Sequence, residues 1–342
     1  MGTPSDEWPV RSATRATAGA PGRMNEPGPL SAPERSCPVC DQHEADALWT
    51  KGVLRAVRCR RCTMIYARPV AQEFASGEYY ARSAVTYQLS PDKLEGDFAP
   101  VRFERELRLF RARCRGGAVL DVGCSTGGFL SQLCQRWPGA YTVVGTDVAS
   151  AALDHAERRG IPVVRRAFAE PAFSPQRFDA VTFWAVLEHL DQPRACLRRA
   201  TQVLRPGGHG FILVPNARSL AVRLLGSRYR YVMPEHVNYF SPSTLRRFVG
   251  LEPDFRLVAL SSTHFNPVVL WQDLVWRREA VPEAERAALL RRTTGWKQHR
   301  LLAPARWVYA LLERALGRAM LADNLVAVLQ RRGAASPDAF CG

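Results

Sequence analysis

The middle of the chain alternates short apolar runs with stretches in which apolar residues recur every three or four positions. Short runs rich in β-branched residues and bounded by glycine, proline or aspartate predict strands, and the longer-period stretches predict helices. The predicted strands span residues 118–122, 142–146, 161–165, 178–184, 210–214, 256–262 and 324–330. Predicted helices lie between them, for example over residues 98–115, 151–159 and 195–204. This alternation is typical of an α/β protein.

One glycine-rich turn stands out in this pattern. The first predicted strand ends at Asp121, the chain turns through Gly123, Ser125 and Gly127, and an apolar-periodic helix begins. Glycines in such a turn allow the backbone to approach a ligand closely. A dinucleotide site requires a glycine where Ser125 stands, and Asp121 would repel a diphosphate. The carboxylate suits a ligand with an ammonium group and no phosphate, such as S-adenosylmethionine; a structural turn without a ligand is the alternative.

A second block begins at the fourth predicted strand. It reads Phe178-Asp179-Ala180-Val181, then Leu187-Glu188-His189-Leu190, then Leu204-Arg205-Pro206-Gly207-Gly208 and Pro215-Asn216. Together with the glycine turn, this block resembles the motifs of class I S-adenosylmethionine-dependent methyltransferases over about residues 100–260. The resemblance implies a doubly wound, seven-stranded Rossmann-like sheet that binds S-adenosylmethionine as the methyl donor.

The resemblance also implies further cofactor contacts. Asp147 ends the second predicted strand, where an acidic side chain can accept hydrogen bonds from both ribose hydroxyls; capping of the next helix is the alternative. Glu170 lies in the stretch that borders the adenine in this family, and a solvent-facing glutamate is the alternative. Trp184 is expected where the fourth strand opens onto the cofactor. Ser125 replaces the family's usual middle glycine and adds a hydroxyl to the turn.

Four cysteines near the N-terminus form two C-x-x-C pairs, Cys37 with Cys40 and Cys59 with Cys62. Their spacing is in the range of four-thiolate zinc sites, because each pair presents two thiolates to a tetrahedron and the intervening hairpin returns the second pair. Four protein ligands close the coordination shell, so we expect a structural zinc. Buried thiols or a redox pair are the alternatives. The other cysteines lie in or beside predicted core elements, which favours a reducing compartment over disulfides.

Two histidines are candidates for the base that deprotonates a methyl acceptor, since imidazole titrates near neutral pH. His236 lies after the fifth strand, above the strand ends where open α/β sheets bind ligands, and His189 follows the fourth strand. A packing role is the alternative for each. Arginines and tyrosines ahead of His236 are suited to recognise phosphate or a planar acidic substrate; they are Arg223, Arg228, Tyr229, Arg230 and Tyr231.

Composition indicates how the chain is divided. Residues 1–34, rich in Pro, Gly, Ala, Ser and Thr, are expected to form a disordered leader, followed by a zinc ribbon over residues 35–68. Residues 69–98 are expected to be an irregular connector whose aromatic residues either line the substrate mouth or pack between domains. Residues 99–264 form the expected cofactor-binding core, 265–322 a helical insertion, and 323–342 the last strand and a tail. An apolar stripe on the last inserted helix predicts packing on the core, a homodimer through the C-terminal helices, or an interfacial membrane helix.

The formal net charge is +15, and 46% of the residues are hydrophobic. No apolar run approaches the ~20 residues that span a bilayer, and the N-terminus lacks a secretory signal, so a cytoplasmic protein is expected. The positive charge favours anionic partners, but it is not confined to one stripe, so a nucleic-acid partner is not expected.

These observations predict methyl transfer to an oxygen or carbon of a small molecule. A zinc ribbon in front of this core resembles sugar C-methyltransferases and natural-product enzymes, which implies a sugar, a nucleotide-linked sugar or a natural-product intermediate as acceptor. There are two rival hypotheses. One is an RNA methyltransferase that binds the phosphate backbone through the zinc ribbon and the basic surface. The other is a non-catalytic zinc-dependent binding module.

Overall fold

The computed structural model describes residues 35–166, 168, 173, 175–276, 281–298 and 303–333. The predicted leader, the predicted tail beyond residue 333 and the predicted adenine contact of Glu170 lie outside the described residues.

The described chain begins with three antiparallel strands, β1 (Ala45–Lys51), β2 (Leu54–Cys59) and β3 (Ile65–Ala67). A two-residue strand from much later in the chain, Asn238–Tyr239, pairs with β3 as the fourth strand of this small sheet. The unit that contains the four cysteines, residues 35–67, therefore shares a sheet with a segment of the core. We call it the cysteine unit.

Most of the segment predicted to be an irregular connector is helical. It contains α1 (Gln72–Ala75), α2 (Glu78–Ser83), a π-helical turn over Ala84–Gln88, and α3 (Pro91–Phe98). These helices are short, and their polar and glycine positions obscure the apolar side chains that they bury. The next helix, α4 (Glu104–Arg111), is shorter than the helix predicted over residues 98–115.

The core contains a seven-stranded sheet. Its strands are β4 (Gly117–Val122), β5 (Tyr141–Thr146), β6 (Val163–Val164), β7 (Phe178–Trp184), β8 (Leu204–Pro215), β10 (Phe255–Thr263) and β11 (Asn324–Arg331), while β9 is the Asn238–Tyr239 strand of the small sheet. The order across the sheet is β10-β11-β8-β7-β4-β5-β6. Strands β4 to β8 pair in parallel, and β11 runs antiparallel between β8 and β10. The predicted doubly wound α/β fold is confirmed.

Helices cover both faces of this sheet. The remaining helices are α5 (Gly128–Arg136), α6 (Ser150–Arg158), α7 (Pro193–Val203), α8 (Leu220–Leu225), α9 (Pro242–Val249), α10 (Pro267–Trp276), α11 (Glu283–Gln298) and α12 (Ala303–Arg318). Because successive strand side chains point to opposite faces, Val119 of β4 packs with Phe129 of α5, and its neighbour Leu120 belongs to the cluster on the α7 side with Leu197. Such two-sided burial explains why the core strands are almost continuously apolar.

The helices α10 to α12 lie between β10 and β11. The burial of side chains on α12 differs from the burial that the predicted apolar stripe would give. Leu311 and Leu312 are 42% and 45% exposed, whereas Glu313 is buried and forms an ion pair with Arg105 of α4. A buried charge with a specific partner therefore anchors this helix. No helix in the described ranges has the length and apolar content needed to cross a membrane.

Candidate functional site

The glycine turn lies at the topological switch point of the sheet. The chain runs from β4 to β5 and β6 on one side and then to β7 and β8 on the other, so the carboxyl ends of β4 and β7 face one crevice. The loops after these two strands are in contact. A Cβ atom on Gly123, whose φ is 70°, would lie 2.5 Å from Val186 Cγ2, so only glycine fits here.

Ser125 and Asp147 join the turn to the end of β5. Ser125 has a φ of 50° in the left-handed region, and its backbone N–H donates to Asp147 Oδ2 at 2.9 Å. Its hydroxyl donates to Gln88 Oε1 at 2.8 Å. The other oxygen of Asp147 accepts from Ala149 N at 2.9 Å, directly ahead of α6. The serine therefore adds one hydrogen bond that a glycine could not make, the one to Gln88, and Asp147 organises the turn as well as the helix start.

Asp121 is a buried carboxyl beside this turn, with 2% of its surface exposed. Thr182 Oγ1 donates to its Oδ1 at 2.5 Å. Burial raises the pKa of Asp121 from 3.8 to about 7, and the charge of Asp147 adds to the increase, while the Thr182 hydrogen bond opposes it. No cationic side chain in the described ranges pairs with this carboxyl, and an ammonium group would supply a positive partner.

The two candidate bases lie side by side, with ring centroids 4.8 Å apart. His189 Nδ1 lies 2.9 Å from the Glu235 carbonyl, and His236 Nδ1 lies 3.0 Å from the Tyr231 carbonyl. Since a carbonyl oxygen only accepts, each Nδ1 carries the proton and each Nε2 is left with a free lone pair. Burial lowers the pKa of both histidines, and for His236 the neighbouring His189 lowers it further. Both imidazoles are therefore neutral near pH 7.

Glu188 completes a small polar cluster with these histidines. Ligand atoms of the three side chains lie within 4.8 Å of one another, close enough to share a proton or a cation. Glu188 is 1% exposed, and its Oε2 has no hydrogen-bond partner among the residues that the structure describes. Burial raises its pKa to about 8, so the carboxyl is largely protonated at neutral pH. The cluster thus adds no negative charge to the crevice in its resting state.

The helical segment ahead of the core covers both parts of the site. Tyr80 of α2 packs edge-on against His189, with ring centroids 5.5 Å apart, and its hydroxyl donates to the His189 carbonyl. Gln88, at the end of the π-helical turn, contacts Ser125. Residues 69–98 are expected to place their aromatic side chains either at the substrate mouth or in packing between domains. Phe74 is buried, which agrees with packing. Sequence reasoning missed Gln88, and the only signal for Tyr80 was the aromatic content of the segment.

One member of the arginine and tyrosine group ahead of His236 has a partner within the fold. Arg230 is buried, and its Nε and backbone N–H donate to the Asp273 carboxylate at 2.8 Å each. Its charge is therefore neutralised within the fold and is not available to a substrate phosphate. Tyr231 remains 40% exposed. Desolvation raises the pKa of its hydroxyl, and the charges of Arg230, Arg102 and Arg286 act against that rise.

Trp184 lies at the end of β7, as predicted, but its ring is part of the core. The indole packs against Phe129 at 5.3 Å and Phe211 at 6.1 Å between ring centroids. Its Nε1 is buried without a hydrogen-bond partner. At this position the backbone of the strand end, and not the indole, is available to a ligand in the crevice.

The four cysteines form one cluster whose sulfur atoms all lie within 4.8 Å of one another. Cys37 Sγ and Cys62 Sγ are 3.4 Å apart, and Cys40 Sγ and Cys59 Sγ are 3.5 Å apart. The two halves share a backbone geometry, because Asp41 and Thr63, which follow the second cysteine of each pair, have φ values of 57° and 63°. All eight cysteines in the described ranges are free thiols. Four converging thiols suit a tetrahedral metal ion.

Comparisons with known proteins agree with this geometry. A family model described as a methyltransferase domain matches residues 98–260. The ubiquinone biosynthesis O-methyltransferase of Serratia proteamaculans (strain 568) is 31% identical over 194 residues, which cover 51% of this chain and 79% of that protein. The protein of the same name from Proteus mirabilis (strain HI4320) is 33% identical over 197 residues, covering 51% of this chain and 78% of that protein.

Among solved structures, an S-adenosylmethionine-dependent methyltransferase from Archaeoglobus fulgidus is similar, with a TM-score of 0.46 and 18% identity over 74% of this chain and 100% of that one. The curated relatives decide the family, since they exceed 30% identity over more than three quarters of their own length. The chain therefore belongs to the class I S-adenosylmethionine-dependent methyltransferases, and it is an enzyme that uses this cofactor.

Proposed function

We propose that this enzyme methylates a hydroxyl oxygen of a small molecule, with the neutral pair His189 and His236 as the base. The observation that carries the proposal is the pair of free Nε2 atoms at the switch point, beside the glycine turn. The two relatives are named as O-methyltransferases, which supports oxygen as the acceptor atom. An acidic carbon is the alternative, because it also needs a base.

The residues around the turn fit S-adenosylmethionine, which supplies an activated methyl group when it is bound. Asp121 would hold the ammonium group, because it is a buried carboxyl without a positive partner. Asp147 would accept from the ribose hydroxyls, since a carboxylate has about four lone-pair sites and two backbone N–H groups leave capacity unused. Gly123, Ser125 and Gly127 would shape the turn around the cofactor.

A cation for the cofactor's carboxylate is also present. Arg102 stacks on Phe103 at 4.9 Å. The Phe103 ring in turn lies 3.2 Å from the position of a Cβ on Gly128, the first residue of α5. Arg102 is thus placed beside the helix start that follows the turn. Its Nε pairs with Asp97 Oδ1 at 3.4 Å, and we infer that its Nη1 and Nη2 groups pair with the carboxylate of the methionine moiety.

The histidine pair would act by accepting the proton of the acceptor hydroxyl at a free Nε2. The Glu235 and Tyr231 carbonyls fix the ring orientations, so the lone pairs are oriented before the acceptor arrives. Alignment of acceptor and methyl group accounts for much of the rate in such a displacement. A positioned general base typically contributes about 10²–10⁴-fold.

The side chains near the histidines favour a planar acceptor, and one arginine there could also contact an anionic group. The Arg286 guanidinium lies over the Tyr87 ring, 5.2 Å from its centroid, and it pairs with Glu235 at 3.2 Å, so an anionic acceptor would share it with that carboxylate. Tyr87 and Tyr231 both lie close enough to Arg102 and Arg286 for these charges to act on their hydroxyls. Phenolic acids and nucleotide-linked sugars both carry a ring and a negative charge. They are therefore the first acceptors to test.

We also propose that the cysteine unit binds one structural zinc ion through Cys37, Cys40, Cys59 and Cys62. The support is the convergence of four free thiols in a unit whose strands are short. Since a zinc–sulfur bond is about 2.3 Å, sulfurs around one ion lie roughly 3.8 Å apart. The two sulfur–sulfur distances of 3.4 and 3.5 Å are close to that value.

The test is a methyl-transfer screen with S-adenosylmethionine and a panel of phenolic acids, catechols and nucleotide sugars, with total RNA as a further arm. Formation of S-adenosylhomocysteine together with a one-methylene mass gain identifies the acceptor. His236→Ala and His189→Ala should keep cofactor affinity and lower turnover by about 10²–10⁴-fold in at least one variant. His43→Ala is the matched control, because His43 is exposed on the cysteine unit.

Wild-type turnover in both histidine variants would show that the base lies elsewhere. Methylated RNA with no small-molecule product would favour the RNA methyltransferase instead. The small-molecule assignment would then be wrong.

A further inference from the structure

Arg35 precedes the first cysteine pair and links two loops of the core, and its side chain is only 10% exposed. On one loop, Nη2 donates to the Asp191 carbonyl at 2.6 Å, and Nε pairs with Asp191 Oδ1 at 3.0 Å. On the other, Nη1 donates to the Val237 carbonyl at 3.1 Å, and Nη2 donates to Asn238 Oδ1 at 2.8 Å. A single guanidinium of the cysteine unit therefore binds both loops at once.

These two loops carry the histidine pair. Asp191 follows His189 by two residues, and Val237 directly follows His236. The loops are also tied to each other, because the ring of His189 is hydrogen-bonded to the Glu235 carbonyl at 2.9 Å. The contacts of Arg35 thus lie within two residues of both imidazoles.

The backbone of the cysteine unit reinforces this link. Strand β3 pairs with β9, and Ala67 N donates to the Val237 carbonyl at 2.9 Å. The side-chain amide of Asn238 donates to the carbonyls of Leu187 and Leu190, at 2.8 and 2.7 Å, on either side of the Glu-His pair. The segment after His236 therefore forms a strand in the cysteine unit's sheet and is also hydrogen-bonded to the loop of His189.

We propose that the cysteine unit positions the histidine pair for catalysis, with Arg35 as the positioning residue that holds both loops. This inference rests on the base role proposed above. It makes turnover depend on the cysteine unit while leaving cofactor affinity independent of it. The reason is that the Arg35 contacts in the described part of the chain do not include the loops of Asp121 and Asp147.

The arrangement requires an arginine. Its planar fork carries five N–H donors in fixed directions, whereas a lysine ammonium is a compact charge on a flexible stem. A lysine at position 35 can keep the ion pair with Asp191 but cannot also reach the Val237 carbonyl and Asn238 with the same geometry. A displacement of about 1 Å in a reacting group can lower the rate about 10²-fold. Loosening these loops should therefore reduce turnover strongly.

The experiment compares Arg35→Lys and Arg35→Ala with Arg60→Ala in the full chain. Arg60 is a matched control, because it lies in the same unit, pairs with Asp46 and is 62% exposed. Four quantities are measured: bound zinc, the Kd of S-adenosylmethionine by calorimetry, kcat with an acceptor found in the screen above, and the titration of ¹³C-labelled histidines by NMR.

Both Arg35 variants should keep their zinc and a cofactor Kd within about twofold of wild type, while kcat falls at least about tenfold. The titration midpoints of His189 and His236 should move up toward the ordinary histidine value, because loosened loops admit water. Arg60→Ala should match the wild type in all four measurements.

Wild-type kcat and histidine titration in both Arg35 variants would overturn the proposal. An equal loss in Arg60→Ala would also overturn it, because the loss would then reflect general weakening of the unit. If Arg35→Ala loses its zinc, the proposal is tested with Arg35→Lys and Asp191→Asn instead. Asp191→Asn removes the ion pair with Arg35 but keeps the Asp191 backbone carbonyl, so it should lower kcat less than Arg35→Lys does. A different outcome would separate the two proposals. If the histidine titrations shift in the Arg35 variants but His189→Ala and His236→Ala keep wild-type turnover, the base role is refuted, while the positioning of the loops by Arg35 is supported.

Discussion

Replacing Asp121 with asparagine tests whether a buried carboxyl receives the cofactor's ammonium group. The carboxyl is 2% exposed, and burial, assisted by the charge of Asp147, raises its pKa from 3.8 to about 7. An ammonium group against it would stabilise the ionised form and lower the pKa again. Binding of S-adenosylmethionine should therefore release a proton at slightly acidic pH.

The size of the effect follows from the two titrations. With a pKa of about 7, roughly one tenth of Asp121 is ionised at pH 6 and about three quarters at pH 7.5. The α-ammonium of the cofactor has an ordinary pKa of about 8 and is still mostly protonated at pH 7.5. The cofactor Kd should thus fall about sixfold from pH 6 to pH 7.5 and rise again above about pH 7.5.

Isothermal titration calorimetry at half-unit steps of pH measures this profile. Two buffers with different ionisation enthalpies report the released proton directly. Asp121→Asn should weaken binding about 10- to 100-fold, as expected for losing a hydrogen bond between charged groups worth about 1.5–3 kcal/mol. Its Kd should be flat between pH 6 and pH 7.5. Asp46→Asn, an exposed change on the cysteine unit, should keep the wild-type profile.

Stability provides a separate check with a definite sign. The folded-state pKa of Asp121 lies above the ordinary value, so the folded cofactor-free enzyme holds a proton that the unfolded chain has lost. This group therefore lowers the free energy of unfolding as pH rises from about 4 to about 7. Asp121→Asn removes that decline and should not lower the Tm at pH 7.5. A wild-type Kd that is flat from pH 6 to pH 7.5, or a variant that keeps the pH dependence, would refute the assignment.

Two further predictions concern the other ligand sites. Asp147→Ala should weaken cofactor binding at least about tenfold while the circular dichroism spectrum is retained, because the ribose acceptor and the hydrogen bond to Ser125 N are both lost; unchanged affinity by calorimetry would remove its ribose role. Cys59→Ser should lose the bound zinc in a metal-release assay and lower the Tm, since structural zinc contributes on the order of 10 kcal/mol to such units. Cys134→Ser, outside the cysteine unit, is the control, and equal zinc in both variants would contradict a four-thiolate site.

The parts of the site that the sequence predicted are those encoded by short spacings. The strand, the turn of Gly123 and Gly127 and the following helix lie within a dozen residues, so residue type and order are enough to identify them. The same holds for the two cysteine pairs, because each C-x-x-C turn builds half of the site locally.

Contacts between residues far apart in the chain had no such signal. Strand β9 is two residues long and pairs with β3, which lies more than 170 positions earlier, so it shows no periodicity to detect. Arg35 is separated from Val237 by 202 positions. Glu313 is buried although it interrupts the predicted apolar stripe, and its partner Arg105 lies on a helix 208 positions away. The positions of such residues depend on tertiary contacts and not on local secondary-structure propensity.

The positions of these distant contacts bear on how far the relatives' names apply to this chain. The methyltransferase-domain match spans residues 98–260, which includes Asp121, Asp147 and both histidines. Arg35, Tyr80 and the Arg286 guanidinium over Tyr87 lie outside that span, yet Arg35 and Tyr80 contact the histidine loops. Cofactor use is therefore a property of the matched core. In the site proposed here, part of the acceptor's surroundings comes from segments that this match does not cover, so we expect the acceptor to differ from a ubiquinone precursor.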